Sequence, residues 1–225
     1  MNENIIVSDI KDNIAKITLN RPRKKNALSI ALRDEVSQAL EELAKNSEVK
    51  VVILTGSGGI FSAGFDLKEF EQAVTDEDFT KKLWDSSDRF HHTCLFFPLP
   101  LIAAVNGPAI AGGFDLATMC DIRLASQDAY FSHPEITFSQ VLYSPLHEMV
   151  GGAIARELCL TGRKVDADEA SSLRIVSKVV TADQLETEVN TMAATIARAS
   201  RETLLQMKAK IIERARLKGE GTLDL

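Results

Sequence analysis

Two stretches of the chain follow a β-branched or aliphatic run with glycine and then repeat the same short text. VVILTGSGGIFSAGFDL (Val51–Leu67) and LIAAVNGPAIAGGFDL (Leu101–Leu116) both read strand, glycine, short loop, Ala-Gly and then Phe-Asp-Leu. Glycine in such turns permits positive φ and lets backbone amides approach a ligand, so each turn can present unpaired N–H donors. The second turn runs into the apolar Leu116–Met119, which predicts a helix whose N-terminus adds a positive dipole end. Two N–H groups converging on one oxygen form an oxyanion hole, suited to a carbonyl that gains charge as an enolate. The same text also fits ordinary tight turns, which are common after strands in α/β folds.

Other chemistries fit less well. A dinucleotide fingerprint starting at Gly56 meets Phe61 where its third glycine belongs, and Gly107–Gly112 has P-loop spacing but is followed by Gly113 and Phe114 instead of Lys and Ser or Thr. His91, His92 and Cys94 lie close together but lack a second ligand pair at metal-site spacing, so no metal is expected. A serine nucleophile needs a base beside it, and Ser62, or Ser132 next to His133, offers only sequence adjacency. By residue type alone Glu135 reads as a surface carboxylate, Asp115 as a helix-start residue bonding local N–H groups, and His147 as a solvated helix-start histidine.

The elements that must position these residues alternate strand and helix. Ile5–Val7 and Ile14–Leu19 predict two short strands joined by a hairpin around Lys11–Asn13. Ile30–Lys45 has helical spacing (Leu32, Val36, Ala39, Leu40, Leu43) with Ser29 as its N-cap. Val49–Leu54 and Leu101–Val105 are nearly continuous apolar runs, the mark of strands covered on both faces. Between them a polar helical stretch carries Phe79, Leu83, Trp84 and Phe90 behind an acidic start at Thr75–Asp78. A short strand at Ile122–Ala125, the pair Tyr130–Phe131 and a helix from Pro145 capped by Ser144 follow. Asp166 with Glu169 and Thr181 with Gln184 read as capping boxes bracketing a strand at Ile175–Val180. Two helices from about Ala182 to Arg216 carry apolar stripes (Leu185, Val189, Met192, Ile196; Leu204, Met207, Ile211) able to pack on the body or on a neighbouring subunit. The class is α/β.

With 225 residues, 45% of them hydrophobic, the chain can bury a core without disulfide or metal staples. Its net charge of −6 is scattered and no basic stripe stands out, which argues against a nucleic-acid partner. Three widely spaced cysteines suit a reducing compartment, and neither a signal segment nor a membrane-length apolar run is present, so a cytoplasmic protein without membrane association is expected.

The segments NRPRKKNAL (Asn20–Leu28), VVILTGSGGIFSAGFDLKEF, PLIAAVNGPAIAGGFDLATMCDIRLAS and FSHPEITF (Phe131–Phe138) resemble the crotonase, or enoyl-CoA hydratase/isomerase, superfamily in text, order and separation. The similarity runs from about Ile14 to about Val180, with compatible helices after it. The resemblance implies a crotonase-like ββα superhelix with C-terminal helices: an acyl-CoA-binding core over residues 1–181 and a helical region over 182–225, shorter than in typical members. It implies that Phe65, after Ala63-Gly64, and Gly112 supply the two oxyanion N–H groups. Asp66, Leu67 and Lys68 would line the CoA loop, with Arg23 and Lys24 near the CoA phosphates. Glu135 matches a catalytic carboxylate, and Asp115 stands where hydratases normally carry a second, a Glu. After Glu135 the chain reads SQVLYSPLHEMVGG where many hydratases have a glycine-rich stretch.

The resemblance thus implies an acyl-CoA thioester as substrate, no cofactor beyond the coenzyme A that the substrate carries, and a homotrimer or dimer of trimers. Hydration of a 2-enoyl-CoA is the leading expectation, because two carboxylates can position a water and deliver a proton. Isomerisation of a 3-enoyl-CoA, which one carboxylate can perform, and a non-catalytic acyl-CoA-binding role are the alternatives. Acyl-chain identity depends on walls contributed by Thr75–Phe97 and Gln140–Val150.

Overall fold

The computed structural model describes residues 5–215 together with Gly221, Thr222 and Leu225. Strands β1 (Ile6–Lys11) and β2 (Ile14–Leu19) form the expected antiparallel hairpin. Helix α1 (Ile30–Lys45) starts where the Ser29 Oγ accepts the Leu32 N–H, and it buries Leu32, Val36, Leu40 and Leu43. It also buries Arg33, whose guanidinium donates to the Leu28 and Leu83 carbonyls and to Ser86 Oγ.

The chain then repeats one pattern: a strand in a large sheet, a shorter pairing in a small sheet, and helix. The first turn is β3 (Val51–Gly56), a bridge at Ser62, and helices α2 (Leu67–Ala73) and α3 (Glu77–Leu95). The second is β4 (Leu101–Val105), β5 (Ala109–Ile110) and α4 (Gly112–Met119). The third is β6 (Ile122–Ser126), β7 (Tyr130–Ser132), a 3₁₀ turn at Pro134–Thr137 and α5 (Ser144–Thr161). Beyond them come β8 (Val165–Asp166), α6 (Ala167–Ser172), β9 (Lys178–Val180), α7 (Leu185–Ala197) and α8 (Arg201–Ala215). The large sheet runs β1-β2-β3-β4-β6-β9, parallel from β2 onward, and the small sheet runs β5-β7-β8. This is the ββα superhelix, and the repeated text of the sequence marks equivalent positions in successive turns.

Both faces of the large sheet are covered, as the unbroken apolar runs require. One face joins the main core with α1 and α3; the other holds Val51, Ile53, Ile102 and Leu124 against Leu185, Val189 and Ala193 of α7. Fully burying side chains such as Leu185 and Val189 stabilises the packing by roughly 1.5–3 kcal/mol each. Thr222 and Leu225 reach back into the body: the Thr222 hydroxyl donates to Asp88 Oδ1, and the Leu225 carbonyl accepts the N–H groups of Tyr143 and Ser144. No described helix is long and apolar enough to cross a membrane.

Several expectations change. Ser144 is the first residue of α5 instead of its cap, and the Leu225 carbonyl does the capping. Asp166 does cap α6 through the Glu169 N–H, but α7 starts at Leu185 without a side-chain cap, because the Thr181 backbone carbonyl takes the Gln184 N–H. The strand expected from Ile175 is only Lys178–Val180: the Ile175 and Val176 N–H groups turn back to the Ala170 carbonyl, and the Ile175 carbonyl accepts from buried Arg123. The strand expected from Val49 begins at Val51. On α8 the buried stripe is Leu204 and Lys208, while Met207 and Ile211 are exposed, because Lys208 Nζ reaches Asp121 Oδ1 at 2.5 Å. Arg216, the expected end of that helix, lies outside the described residues.

Candidate active site

The two glycine turns lie side by side. Ser62 pairs in parallel with Ala109, the Ser62 carbonyl accepting the Ile110 N–H, so that Phe65 and Gly112 each follow three residues after the bridged pair. Neighbouring paired strands are about 4.8 Å apart, which brings the backbones of the two turns within reach of one small ligand atom. The contact is tight: a Cβ on Gly64 would lie 2.9 Å from the Gly112 nitrogen, and one on Gly112 would lie 2.7 Å from the Phe65 ring. Gly64 has φ +83° and Ala111 has φ 53°, ψ −131°, a conformation that strains any residue with a Cβ.

Around this contact the N–H groups of Leu28, Ala63, Gly64, Ile110, Ala111, Phe114 and Asp115 all have acceptors. Among the described residues the Phe65 and Gly112 N–H groups have none. Gly112 also opens α4, so its N–H is one of the orphan donors of a helix start. The Phe65 ring is held by the Arg33 guanidinium, 4.5 Å from its centroid, and by the stacked His91 ring at 6.1 Å. Burial lowers His91 to about 4, so it is neutral.

One helical turn beyond Gly112, α4 presents Asp115. It is not a local cap: its carboxylate is 4% exposed and lies 3.7 Å from His133 Nε2. On the other edge of the same ring, His133 Nδ1 is 2.9 Å from Glu135 Oε1. His133 is itself 1% exposed and stacks on Phe114 at 4.7 Å. The Glu135 side chain is only 13% exposed, and among the described residues its Oε2 is buried without a hydrogen-bond partner. Burial, reinforced by the charge of Glu135 and opposed by that of His133, raises Asp115 to about 7. Burial pulls His133 down, but Asp115 and Glu135 outweigh it and the net shift is upward. Asp115 and His133 thus face each other as charge partners, beyond hydrogen-bond distance. Cys159 of α5 borders the cluster, and burial together with both carboxylates raises its thiol to about 11.

Asp115, His133 and Glu135 bring one atom each within 4.8 Å of the others, the composition of a metal site. The ring, however, lies between the carboxylates, with a different nitrogen toward each, so one ion would reach only one nitrogen and would have to break the Nδ1–Glu135 contact. The arrangement is a buried charge cluster in which His133 hydrogen-bonds Glu135 and faces Asp115.

The remaining expected residues sit on the rim. Arg23 and Lys24 are exposed on a 3₁₀ turn at Pro22–Lys24, and Leu67 (60% exposed) and Lys68 are exposed at the start of α2. Asp66 is committed: it caps α2 through the Lys68 N–H and pairs with Arg21 at 3.2 Å. Ser62 Oγ donates to the Asn26 carbonyl and accepts the Gly64 N–H, a structural role in the turn. His92 and His147 are exposed, the latter beside Tyr143. Sequence reasoning passed over His133 because it weighed that residue only as a base for Ser132. Its spacing of two from Glu135 in a Pro-containing turn was the available signal.

Comparison with known proteins identifies the family. The enoyl-CoA hydratase/isomerase family model matches residues 9–224. The chain is 36% identical to a probable mitochondrial enoyl-CoA hydratase of Dictyostelium discoideum, covering 89% of this chain and 73% of that one. It is 34% identical to a probable enoyl-CoA hydratase of Mycobacterium leprae, covering 94% and 82%. The crystal structure of an enoyl-CoA hydratase from Bacillus anthracis superposes with a TM-score of 0.88 at 32% identity, covering 96% and 85%. The chain belongs to the enoyl-CoA hydratase/isomerase family.

Proposed function

We propose that this protein is an enoyl-CoA hydratase that adds water across the 2,3-double bond of an acyl-CoA thioester of the fatty-acid type. The observation that carries the reading is the pairing of two unoccupied N–H groups with a carboxylate cluster one helical turn away, in which one carboxylate is poised to hold a proton and the other presents a free oxygen. The thioester oxygen accepts from the Phe65 and Gly112 N–H groups, which draws electron density from C3. Glu135 takes a proton through Oε2 from a water as the water oxygen bonds to C3. The resulting enolate is held in the oxyanion hole, and Asp115 returns a proton to C2. A carboxyl raised by burial beside a second carboxylate commonly marks an acid–base site.

The rest of the substrate fits the rim: Ala63, Leu67 and Lys68 flank the turn that holds the thioester, and exposed Arg23 and Lys24 offer charge to the CoA phosphates, while Asp66 fixes the loop through Arg21. The reading needs no group beyond the coenzyme A that the substrate carries. Free, buried cysteines suit a reducing compartment, and cytoplasmic placement belongs to the proposal. So does a trimeric assembly, supported by Met207 and Ile211 on α8, which border a cavity of about 420 Å³ between that helix and α5.

The test supplies purified protein with a 2-enoyl-CoA and a 3-enoyl-CoA and follows product by mass. Gain of one water marks hydration; an unchanged mass with a moved double bond would replace this reading by isomerisation. Glu135→Gln should lower turnover by about 10²–10⁴ while CoA-ester binding persists, and near-wild-type turnover would remove Glu135 from the mechanism.

A further inference from the structure

We infer that His133 is a positioning residue that sets both carboxylates at once: Nδ1–H holds Glu135 by Oε1 so that Oε2 is left for the reactants, and Nε2 faces Asp115 as its charge partner. The inference rests on the hydratase reading and adds to it a side chain that touches neither substrate nor oxyanion.

The geometry allows little else. The ring is buried between the two acids, with 2.9 Å on one side and 3.7 Å on the other, and it is clamped from its face by Phe114. Phe114 precedes Asp115 on α4, and Pro134 separates His133 from Glu135, so the ring is fixed by the same two segments that carry the acids. The ionisable groups facing it are Asp115 from α4 and Glu135 from the 3₁₀ turn, with Cys159 from α5 bordering both acids. An acid left free to rotate in a buried site loses its aim; one oxygen engaged by an N–H leaves the other with a single direction.

In the hydration step, Asp115 passes its proton to C2. The water proton is left on Glu135. When product departs, Glu135 loses that proton to solvent and Asp115 takes one up, so the cycle closes with one water consumed.

Two substitutions separate the two edges of the ring. The amide nitrogen of His133→Asn falls where Nδ1 stands, and that of His133→Gln where Nε2 stands. His133→Gln, which gives up the Glu135 contact, should lower kcat by about 10²-fold, and His133→Asn, which keeps it, by about tenfold. In both variants the loss of a positive partner should move the alkaline limb of the kcat–pH profile, set by Asp115, to higher pH, because His133 opposes the rise of Asp115. CoA-ester affinity should stay within a few-fold. A histidine that merely packs would lower stability without moving that limb. If Glu135→Gln is inactive but both His133 variants keep wild-type kcat and an unmoved limb, this inference is wrong and the hydratase reading stands. If Glu135→Gln is fully active, the hydratase reading itself falls.

Discussion

The two turns share nearly one text, Ala-Gly-Phe-Asp-Leu and Ala-Gly-Gly-Phe-Asp-Leu, yet their aspartates do opposite work. Asp66 is half-buried, where it caps a short helix and pairs with Arg21. Asp115 lies inside the molecule, raised to about 7, against His133. The second turn has one more glycine, and its helix begins before the aspartate instead of after it. One added helical residue rotates a side chain by roughly 100°, enough to carry it from a solvated cap to a buried face. The phenylalanines diverge likewise: Phe65 covers Gly112 and rests on Arg33, whereas Phe114 packs on Phe131 and His133. Repetition of text provides two similar backbones; the packing partners decide which aspartate is buried.

The comparison breaks most sharply by neutralising each aspartate. Asp115→Asn should lower kcat by about 10²–10⁴, while Asp66→Asn, which keeps the cap, should leave kcat within a few-fold and cost about 1 kcal/mol or less in stability. Equal losses in steady-state assays would mean that the turns are not differentiated. Next comes the glycine between them. Gly64→Ala combines positive φ with a Cβ 2.9 Å from the Gly112 nitrogen and should reduce kcat/KM by about 10²–10³. Gly59→Ala has the same sign of φ but open space, so it should lose stability and keep kcat/KM; a matching catalytic loss there would point to backbone strain in place of the oxyanion contact.

A smaller effect appears in stability against pH. The folded state keeps the Asp115 proton up to about pH 7, whereas an unfolded chain releases it near pH 4. The folded state therefore binds more protons in that window. The contribution of Asp115 is complete below about pH 4, is lost as pH rises toward 7, and is constant above. Denaturant midpoints of the wild type minus Asp115→Asn should fall across that range; a flat difference would show that Asp115 ionises normally. The mildest test is Ala111→Gly, which relieves φ 53° beside the oxyanion pair and should stabilise the protein by about 1 kcal/mol. A loss of stability would mean that Ala111 is unstrained.

Much of this was legible in the chain. The hairpin, α1 with its Ser29 cap, both buried strands and both glycine turns are local patterns, set by side-chain period and backbone preference. Glu135 was legible only by resemblance, since nothing local distinguishes a buried carboxylate from a surface one. The misplaced start of β9 and the mistaken cap at Ser144 have different causes: the Ile175 and Val176 N–H groups turn back locally to the Ala170 carbonyl, whereas the Ser144 N–H is taken by the Leu225 carbonyl, distant in sequence.

By itself the sequence determined that glycine turns follow two buried strands and that carboxylates stand at Asp115 and Glu135. Tertiary structure alone decided that the Phe65 and Gly112 N–H groups end up adjacent and unpaired, and that His133 lies between the acids. The reason is physical: propensity acts over a few residues, whereas hydrogen-bond vacancy and burial depend on how successive turns of the superhelix stack.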